Sequence, residues 1–178
     1  VAVVDRNVEG AAAAADALCR ESGRADAAIA LGADVAEEAS AKRMVQAVLE
    51  RYGRIAILVN NAAMWKEVER RPYWEVPVEE WDRMFAVNAR GPFLCTVAVT
   101  PAMIGQGKGK IIYIGSATVW TAQATLTHYA SSKAALIGLM RCVARELGPR
   151  NVCVNMIHPG MTDTGGTSGL EYVSTKTS

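Results

Sequence analysis

The chain has 178 residues, of which 51% are apolar and 21% charged, and its formal net charge is +1. That length suits one domain with a sizeable core, and the near-neutral charge supplies no basic field for nucleic acid or an anionic membrane. No uncharged apolar run is long enough for a membrane span, and no stretch reads as a signal peptide.

Val1-Ala2-Val3-Val4 is apolar and β-branched, the pattern of a strand buried on both faces, and Asp5 ends it. The Ala-rich stretch from Val8 to Glu21 predicts a helix stopped near Gly23. Ala27–Leu31 predicts a second strand, followed by Asp34-Val35. Glu37–Tyr52 predicts a helix with Met44, Val45, Val48 and Leu49 on one side, and Ile55–Val59 a third strand running into Asn60-Asn61-Ala62-Ala63. After a loop with Trp65, Pro72 and Pro77, a long helical pattern covers Val78–Ile104, with a bend expected at Gly91-Pro92. Ile111–Ile114 predicts a fourth strand that leads to Ser116. A helix carrying Tyr129 follows, ends at Gly148-Pro149, and gives way to a last strand over Val152–Ile157 and His158-Pro159-Gly160.

Strands alternating with helices imply βαβ units, hence an α/β fold with a doubly wound parallel sheet and helices on both faces. Ligands bind such sheets beyond the carboxyl ends of the strands. The polar punctuation falls there: Asp5, Asp34, Asn60, Ser116 and Pro159-Gly160. Tyr129 and Lys133 are four apart on a helix and so share a face. A cation beside a phenol favours the phenolate, and is expected to hold Tyr129 below the usual value of about 10. Such a tyrosine exchanges a proton with a substrate oxygen near neutral pH. A hydroxyl at a strand end, Ser116, can hydrogen-bond the same oxygen.

These residues resemble the short-chain dehydrogenase/reductase family from Val1 to about Thr164. The markers are Asn60-Asn61-Ala62-Ala63, Asn88 after Val87, Ser116 thirteen residues before Tyr129, Tyr-x-x-x-Lys at 129–133, and Pro159-Gly160 after a strand. The resemblance implies a Rossmann-like fold and an NAD(P)-dependent oxidoreductase acting on a secondary alcohol or ketone. By matching position, Tyr129 is the general acid/base and Ser116 orients the substrate oxygen. Lys133 lowers the tyrosine pKa and holds the nicotinamide ribose, and Asn88 sits at a helix irregularity and anchors a water. For the cofactor, Asp5 matches the adenosine ribose contact, Asp34 and Val35 the adenine contact, and Asn60, Ala62 and Ala63 the stretch beside the adenosine. Pro159 and Gly160 match the nicotinamide edge, and Thr162 and Thr164 its carboxamide and the pyrophosphate. Ala63 stands where the family usually has Gly.

A carboxylate at Asp5 accepts hydrogen bonds from ribose hydroxyls and repels a 2′-phosphate, which puts NAD ahead of NADP; the adjacent Arg6 argues the other way. An acyl-carrier-protein 3-oxoacyl-thioester reductase using NADP is the alternative activity. Met64, Trp65, Trp120, Gln123 and Met161 are candidates for the substrate wall, with packing an equal reading for the two tryptophans. His128 faces about 100° away from Tyr129 and is assigned no catalytic role. His158 is expected to pack at its strand end.

Four scattered cysteines and two histidines suggest reduced thiols in a cytoplasmic core and no metal site. The apolar excess in the Gly91–Ile104 and Tyr129 helices, with the resemblance, implies a homotetramer or homodimer. The resemblance also implies a first strand and a glycine-rich phosphate turn before Val1, and a closing segment after Thr164. The chain therefore reads as a fragment. Residues 1–164 form a partial Rossmann-like dinucleotide-binding and catalytic domain lacking the first and last strands, and 165–178 begin a substrate-covering segment or a disordered tail. Without the phosphate turn, these residues alone are expected to bind NAD weakly or to be inactive.

Overall fold

The computed structural model describes residues 1–65 and 68–162. The expected alternation is present: β1 (Ala2–Asp5), α1 (Val8–Ser22), β2 (Ile29–Gly32), α2 (Glu38–Tyr52), β3 (Ile57–Asn60), α3 (Val78–Phe85), α4 (Gly91–Gln106), β4 (Gly109–Ile114), α5 (Thr118–Thr121), α6 (Thr127–Leu147) and β5 (Val152–Ile157). Single 3₁₀ turns occupy Tyr73–Glu75 and Gly148–Arg150. The fold is Rossmann-like, with parallel strands and covering helices.

Local chemistry explains the helix ends. Asn7 caps α1, its side chain accepting the Gly10 N–H at 3.1 Å, and Gly23 closes the helix at φ 67°. α1 buries only Ala11 and Ala15, and these small side chains let it lie close on β1 and β2. α2 buries Ser40, Ala41, Met44 and Val45 and packs on α4.

Every strand pair is parallel. β1 pairs with β2 in register Ala2↔Ile29 to Asp5↔Gly32. β4 is central to a second set, pairing with β3 (Ile57↔Lys110 to Asn60↔Tyr113) and β5 (Gly109↔Val152 to Ile114↔Ile157). β1 and β3 are not paired to each other among the described residues, so the hydrogen-bonded sheet is interrupted there. Ile57 and Val59 on β3 are half exposed, at 54% and 51%, where a strand buried on both faces was expected.

The core is nonetheless continuous. Ile111 and Tyr113 of β4, Val152 and Val154 of β5, Val99 and Met103 of α4, and Leu136 of α6 are buried together with Met44 and Val45 of α2. Val4 and Leu31, from the β1–β2 pair, pack against the same cluster. Only one of the four free cysteines belongs to it. Cys95 is buried, and burial pushes its thiol up to about 11, whereas Cys142 and Cys153 are exposed, contrary to the expectation of core thiols.

The long helical pattern after residue 78 is divided, but not at the expected point. A π-helical turn at Ala86–Arg90 separates α3 from α4, and the Gly91 N–H reaches back to the Ala86 carbonyl, five residues earlier. Pro92 sits in the first turn of α4, where its missing N–H leaves no vacancy in the ladder.

Candidate active site

The carboxyl ends of β4 and β5 are stitched together beyond the strands. The Gly115 N–H donates to the Ile157 carbonyl at 2.8 Å, and the Ala117 N–H to the Pro159 carbonyl at 3.0 Å. Between them lies Ser116, buried, whose Oγ accepts hydrogen bonds from the Thr118 N–H (3.2 Å) and the Thr118 hydroxyl (2.8 Å). Two acceptances fix the Oγ and leave its own hydrogen for another oxygen. His158 packs at the strand end as expected, its Nδ1 lying 3.3 Å from the Ser116 carbonyl. Gly115 makes that approach possible: a Cβ there would meet His158 Nδ1 at 2.6 Å.

α6 begins two residues before Tyr129 and carries both Tyr129 and Lys133, each buried. Lys133 Nζ is 5.9 Å from the centroid of the Tyr129 ring and donates to the Ile114 carbonyl at 2.8 Å. The tyrosine departs from its sequence-based expectation here. Burial, the larger effect, raises the Tyr129 phenol above its ordinary value, and the hydrogen bond with Ser116 pulls it partly back. The ammonium, tied to a backbone carbonyl and itself brought down to about 8 by burial, contributes no resolved lowering. In this arrangement Tyr129 is a protonated acid at neutral pH.

Asn88 lies in the π turn and is completely buried. Its Oδ1 accepts the Met64 N–H at 2.7 Å, and its Nδ2 donates to the Met64 carbonyl (3.3 Å) and to Ser132 Oγ (3.2 Å). Ser132 in turn donates to the Tyr129 carbonyl at 2.7 Å. The irregular turn aims Asn88 at both the loop after β3 and the helix of Tyr129.

The expected cofactor residues occupy the carboxyl edges. Asp5 is exposed at the end of β1, one carboxylate oxygen accepting the Asn7 N–H at 2.8 Å. Asp34 accepts the Ala36 N–H at 2.9 Å, while Val35 packs on the core and lies against Gly91, where a Cβ would meet it at 2.8 Å. Asn60 is buried and donates to Thr96 Oγ1 at 3.4 Å, and Thr96 shares a 2.7 Å hydrogen bond with Tyr113. Ala62 and Ala63 are exposed, as are Gly160 and Thr162, whose hydroxyl donates to the Gly160 carbonyl at 3.3 Å. Pro159 is half-buried. Thr164 and the segment 165–178 lie outside the described residues. The donor set fits a dinucleotide: a carboxylate for ribose hydroxyls at one end, and a buried lysine and tyrosine at the other.

Among the substrate-wall candidates, Trp65 is placed beside the chemistry, its ring 4.7 Å from that of Tyr129 and tilted by 55°. Trp120 is 68% exposed and meets His158 edge-on at 5.8 Å. Met161 is exposed. Gln123 lines a hollow of about 340 Å³ with Thr127, Ala130 and Ser131, on the face of α6 turned away from Tyr129. Thr118 and Ser132 had no assigned role in the sequence. The Ser-x-Thr spacing at 116–118 was the available signal for the first, since hydroxyls two apart at a turn bond locally.

Comparison with known proteins accords with this geometry. The family profile for short chain dehydrogenase matches residues 1–172. A sorbitol dehydrogenase of Cereibacter sphaeroides is 39% identical over 172 residues, which cover 96% of this chain and 64% of that protein. A 3-oxoacyl-[acyl-carrier-protein] reductase of Synechocystis is 34% identical, over 88% of this chain and 63% of its own length. A gluconate 5-dehydrogenase from Burkholderia cenocepacia, solved with NADP and tartrate, superposes with a TM-score of 0.85 at 32% identity, over 95% of this chain and 64% of that one. An NAD+-bound xylitol dehydrogenase gives 0.86 at 30% identity, over 92% of this chain and 61% of the other. The chain thus spans less than two thirds of the length of these relatives, and it belongs to the short chain dehydrogenase family.

Proposed function

We infer that the protein is an NAD-dependent oxidoreductase that moves a hydride between nicotinamide and a secondary alcohol or ketone, with Tyr129 as general acid/base. The observation that carries this reading is the joint burial of Ser116, Tyr129 and Lys133 at the end of β4, with Lys133 donating to the Ile114 carbonyl.

When bound, the nicotinamide supplies the hydride chemistry. Asp5, Asp34 and Asn60 would hold its adenosine side, and Lys133, Tyr129, Pro159 and Thr162 its nicotinamide side. The chain's own part is the substrate oxygen. Reduction of a ketone leaves negative charge on that oxygen, and a donor placed in advance stabilises it. Ser116, held by Thr118, is that donor. Tyr129, raised by burial and therefore protonated at neutral pH, gives its proton to the alkoxide. In the oxidative direction the phenolate takes the hydroxyl proton back. Lys133 Nζ lies 5.9 Å from the Tyr129 ring centroid and is held by the Ile114 carbonyl at the end of β4. Asn88 holds Met64 and Ser132, and so fixes the loop and helix that flank the phenol.

A second reading has a specific observation behind it. Arg6 adjoins Asp5, and a guanidinium there suits a 2′-phosphate. With the similarity to the Synechocystis reductase, this supports an NADP-dependent 3-oxoacyl-thioester reductase. Phe93, Val97 and Ile104 form an exposed apolar stripe on α4, at 47%, 48% and 36%, which supports self-association as a dimer or tetramer. We place the protein in the cytoplasm; no helix among the described residues is long and apolar enough to cross a membrane.

The test is Tyr129→Phe in the full-length protein, assayed by NAD reduction with secondary alcohols beside the full-length parent. Loss of turnover with an unchanged melting profile is expected. Turnover equal to the parent's would overturn the assignment.

A further inference from the structure

His128 is entirely buried, and its Nε2 lies 3.0 Å from Oε1 of Glu80 on α3. The other carboxylate oxygen of Glu80 is 3.3 Å from Arg71 Nη2, in the loop between β3 and α3. His128 Nε2 and Glu80 Oε1 are in close contact, but the approach is not aligned as a hydrogen bond. The cluster is costly. Both ring nitrogens of His128, Glu80 Oε1 and Arg71 Nε are buried without a hydrogen-bond partner among the described residues. Buried ionic groups are poor evidence for stability and better evidence for a fixed arrangement.

What it fixes follows from its neighbours. His128 directly precedes Tyr129, and Ser132 directly precedes Lys133. His128 is held by Glu80 and Ser132 by Asn88, both on the helical rod formed by α3, the π turn and α4. Each contact has a third member from the same loop: Arg71 on Glu80, and Met64 on Asn88. That loop carries Trp65 against the Tyr129 ring. α6 also begins without a side-chain cap, since Leu126 occupies the N-cap position. Its first turn, which holds Tyr129, therefore has no local anchor, and a carboxylate near a helix N-terminus is favourable there. The connection leading into it contains Ala122 and Thr125 at φ 47° and 67°, a left-handed region that non-glycine residues adopt at a cost.

We propose that Arg71, Glu80 and His128 form a positioning clamp, the counterpart of Met64–Asn88–Ser132, that sets the rotation of the first turn of α6 and seats the Trp65 loop against Tyr129. The clamp acts through Tyr129 and does not touch the substrate.

The test is hydrogen exchange by mass spectrometry on the protein and on Glu80→Gln and His128→Gln, which preserve much of the side-chain volume. Exchange is expected to accelerate about tenfold or more in peptides spanning 68–72 and 127–131, and to stay within about twofold in β4 and β5. Unchanged exchange in those two peptides would overturn the clamp, as would an acceleration spread evenly over the chain, which marks lost global stability alone. Should either variant fail to fold, Arg71→Gln, at the more exposed end of the cluster, must still loosen 68–72 if the clamp exists. A kinetic arm rests on the oxidoreductase reading. There, kcat is expected to fall about tenfold with KM for the alcohol within about threefold; a raised KM with kcat unchanged would contradict positioning. A full-length parent protein without turnover would sink the oxidoreductase reading, and the exchange result would still decide the clamp.

Discussion

Lys133 Nζ reaches within 5.9 Å of the Tyr129 ring centroid, yet its hydrogen bond goes to the Ile114 carbonyl. The lysine is therefore anchored to the end of β4, and burial lowers its pKa from 10.5 to about 8. Unfolding restores the ordinary value, so between those two pH values the unfolded chain binds more protons than the folded one. Stability then rises with pH through that window, because the buried ammonium becomes a neutral amine. Below about pH 8 the full penalty is in place, on the order of 3 kcal/mol. Replacing Lys133 by Met removes this dependence. In urea denaturation at pH 7.5 to 10.5, Lys133→Met is expected to be the more stable protein at the low end, with the gap closing as pH rises. A gap independent of pH would show that the lysine is not desolvated as described.

The buried chain Asn60–Thr96–Tyr113 yields a second prediction. Tyr113 is fully buried on β4, burial raises its phenol, and its hydroxyl shares a 2.7 Å hydrogen bond with Thr96 on α4. Removing one partner strands the other in a low-dielectric core, while removing both need not. Tyr113→Phe and Thr96→Val are each expected to cost about 1–3 kcal/mol, and the double variant less than their sum. Chemical denaturation of the four proteins gives the coupling. Strict additivity would mean that the two hydroxyls do not depend on each other. Because Thr96 also receives Asn60 Nδ2, Thr96→Val is the variant expected to disturb the end of β3.

Gly115 offers a third, sharper site. A methyl group there would lie 2.6 Å from His158 Nδ1 and 3.1 Å from Met156 Sδ, both too close. His158 must move, and with it the contact to the Ser116 carbonyl. Gly115→Ala is expected to lose about 1–3 kcal/mol, the usual cost of overpacking, and to lower turnover through Ser116. Pairing it with His158→Ala, which opens the space, should recover most of the stability. Failure of that rescue in thermal melts would place the strain elsewhere.

What the sequence made legible and what it hid divide along the range of the interactions. Tyr129 and Lys133 declare themselves because helical periodicity is local, and Ser116 because a hydroxyl ends an apolar strand. The break near Asn88 was visible as Gly91-Pro92, but proline is tolerated in a first turn, so the irregularity falls one turn earlier. Glu80 and His128 are 48 residues apart and meet only because α3 crosses the start of α6, which no spacing rule reports. The direction of the Tyr129 shift was hidden for the same reason. Proximity of a cation is a sequence inference, whereas burial of the phenol is a property of the assembled fold, and burial is the larger effect. Ile57 and Val59 share one face of β3 and are half exposed, although their apolar run matches that of a strand buried on both faces, because burial of a face depends on what the assembled fold lays over it.

On the proposed reading cofactor choice rests on Asp5, and this can be tested by a ratio that does not depend on absolute affinity. Its carboxylate is held by the Asn7 N–H, and Asn7 in turn caps α1 through Gly10. The carboxylate is thus oriented by the same turn that starts the helix. A fixed anion at the end of β1 accepts hydrogen bonds from ribose hydroxyls and repels a 2′-phosphate. Asp5→Ser removes the repulsion and leaves Arg6 beside the site, so NADP should gain on NAD. The expected change in the ratio of dissociation constants is about ten- to a hundredfold, as for one charged hydrogen bond of about 1.5–3 kcal/mol. Asn7→Ala is the control. It forfeits the cap, at about 1 kcal/mol of stability, but keeps the charge, so the order of preference should survive with NAD still ahead. Calorimetric titration of both nucleotides into the full-length forms of the three proteins measures this. A parent protein that already favours NADP would shift the weight to Arg6 and to the thioester-reductase reading.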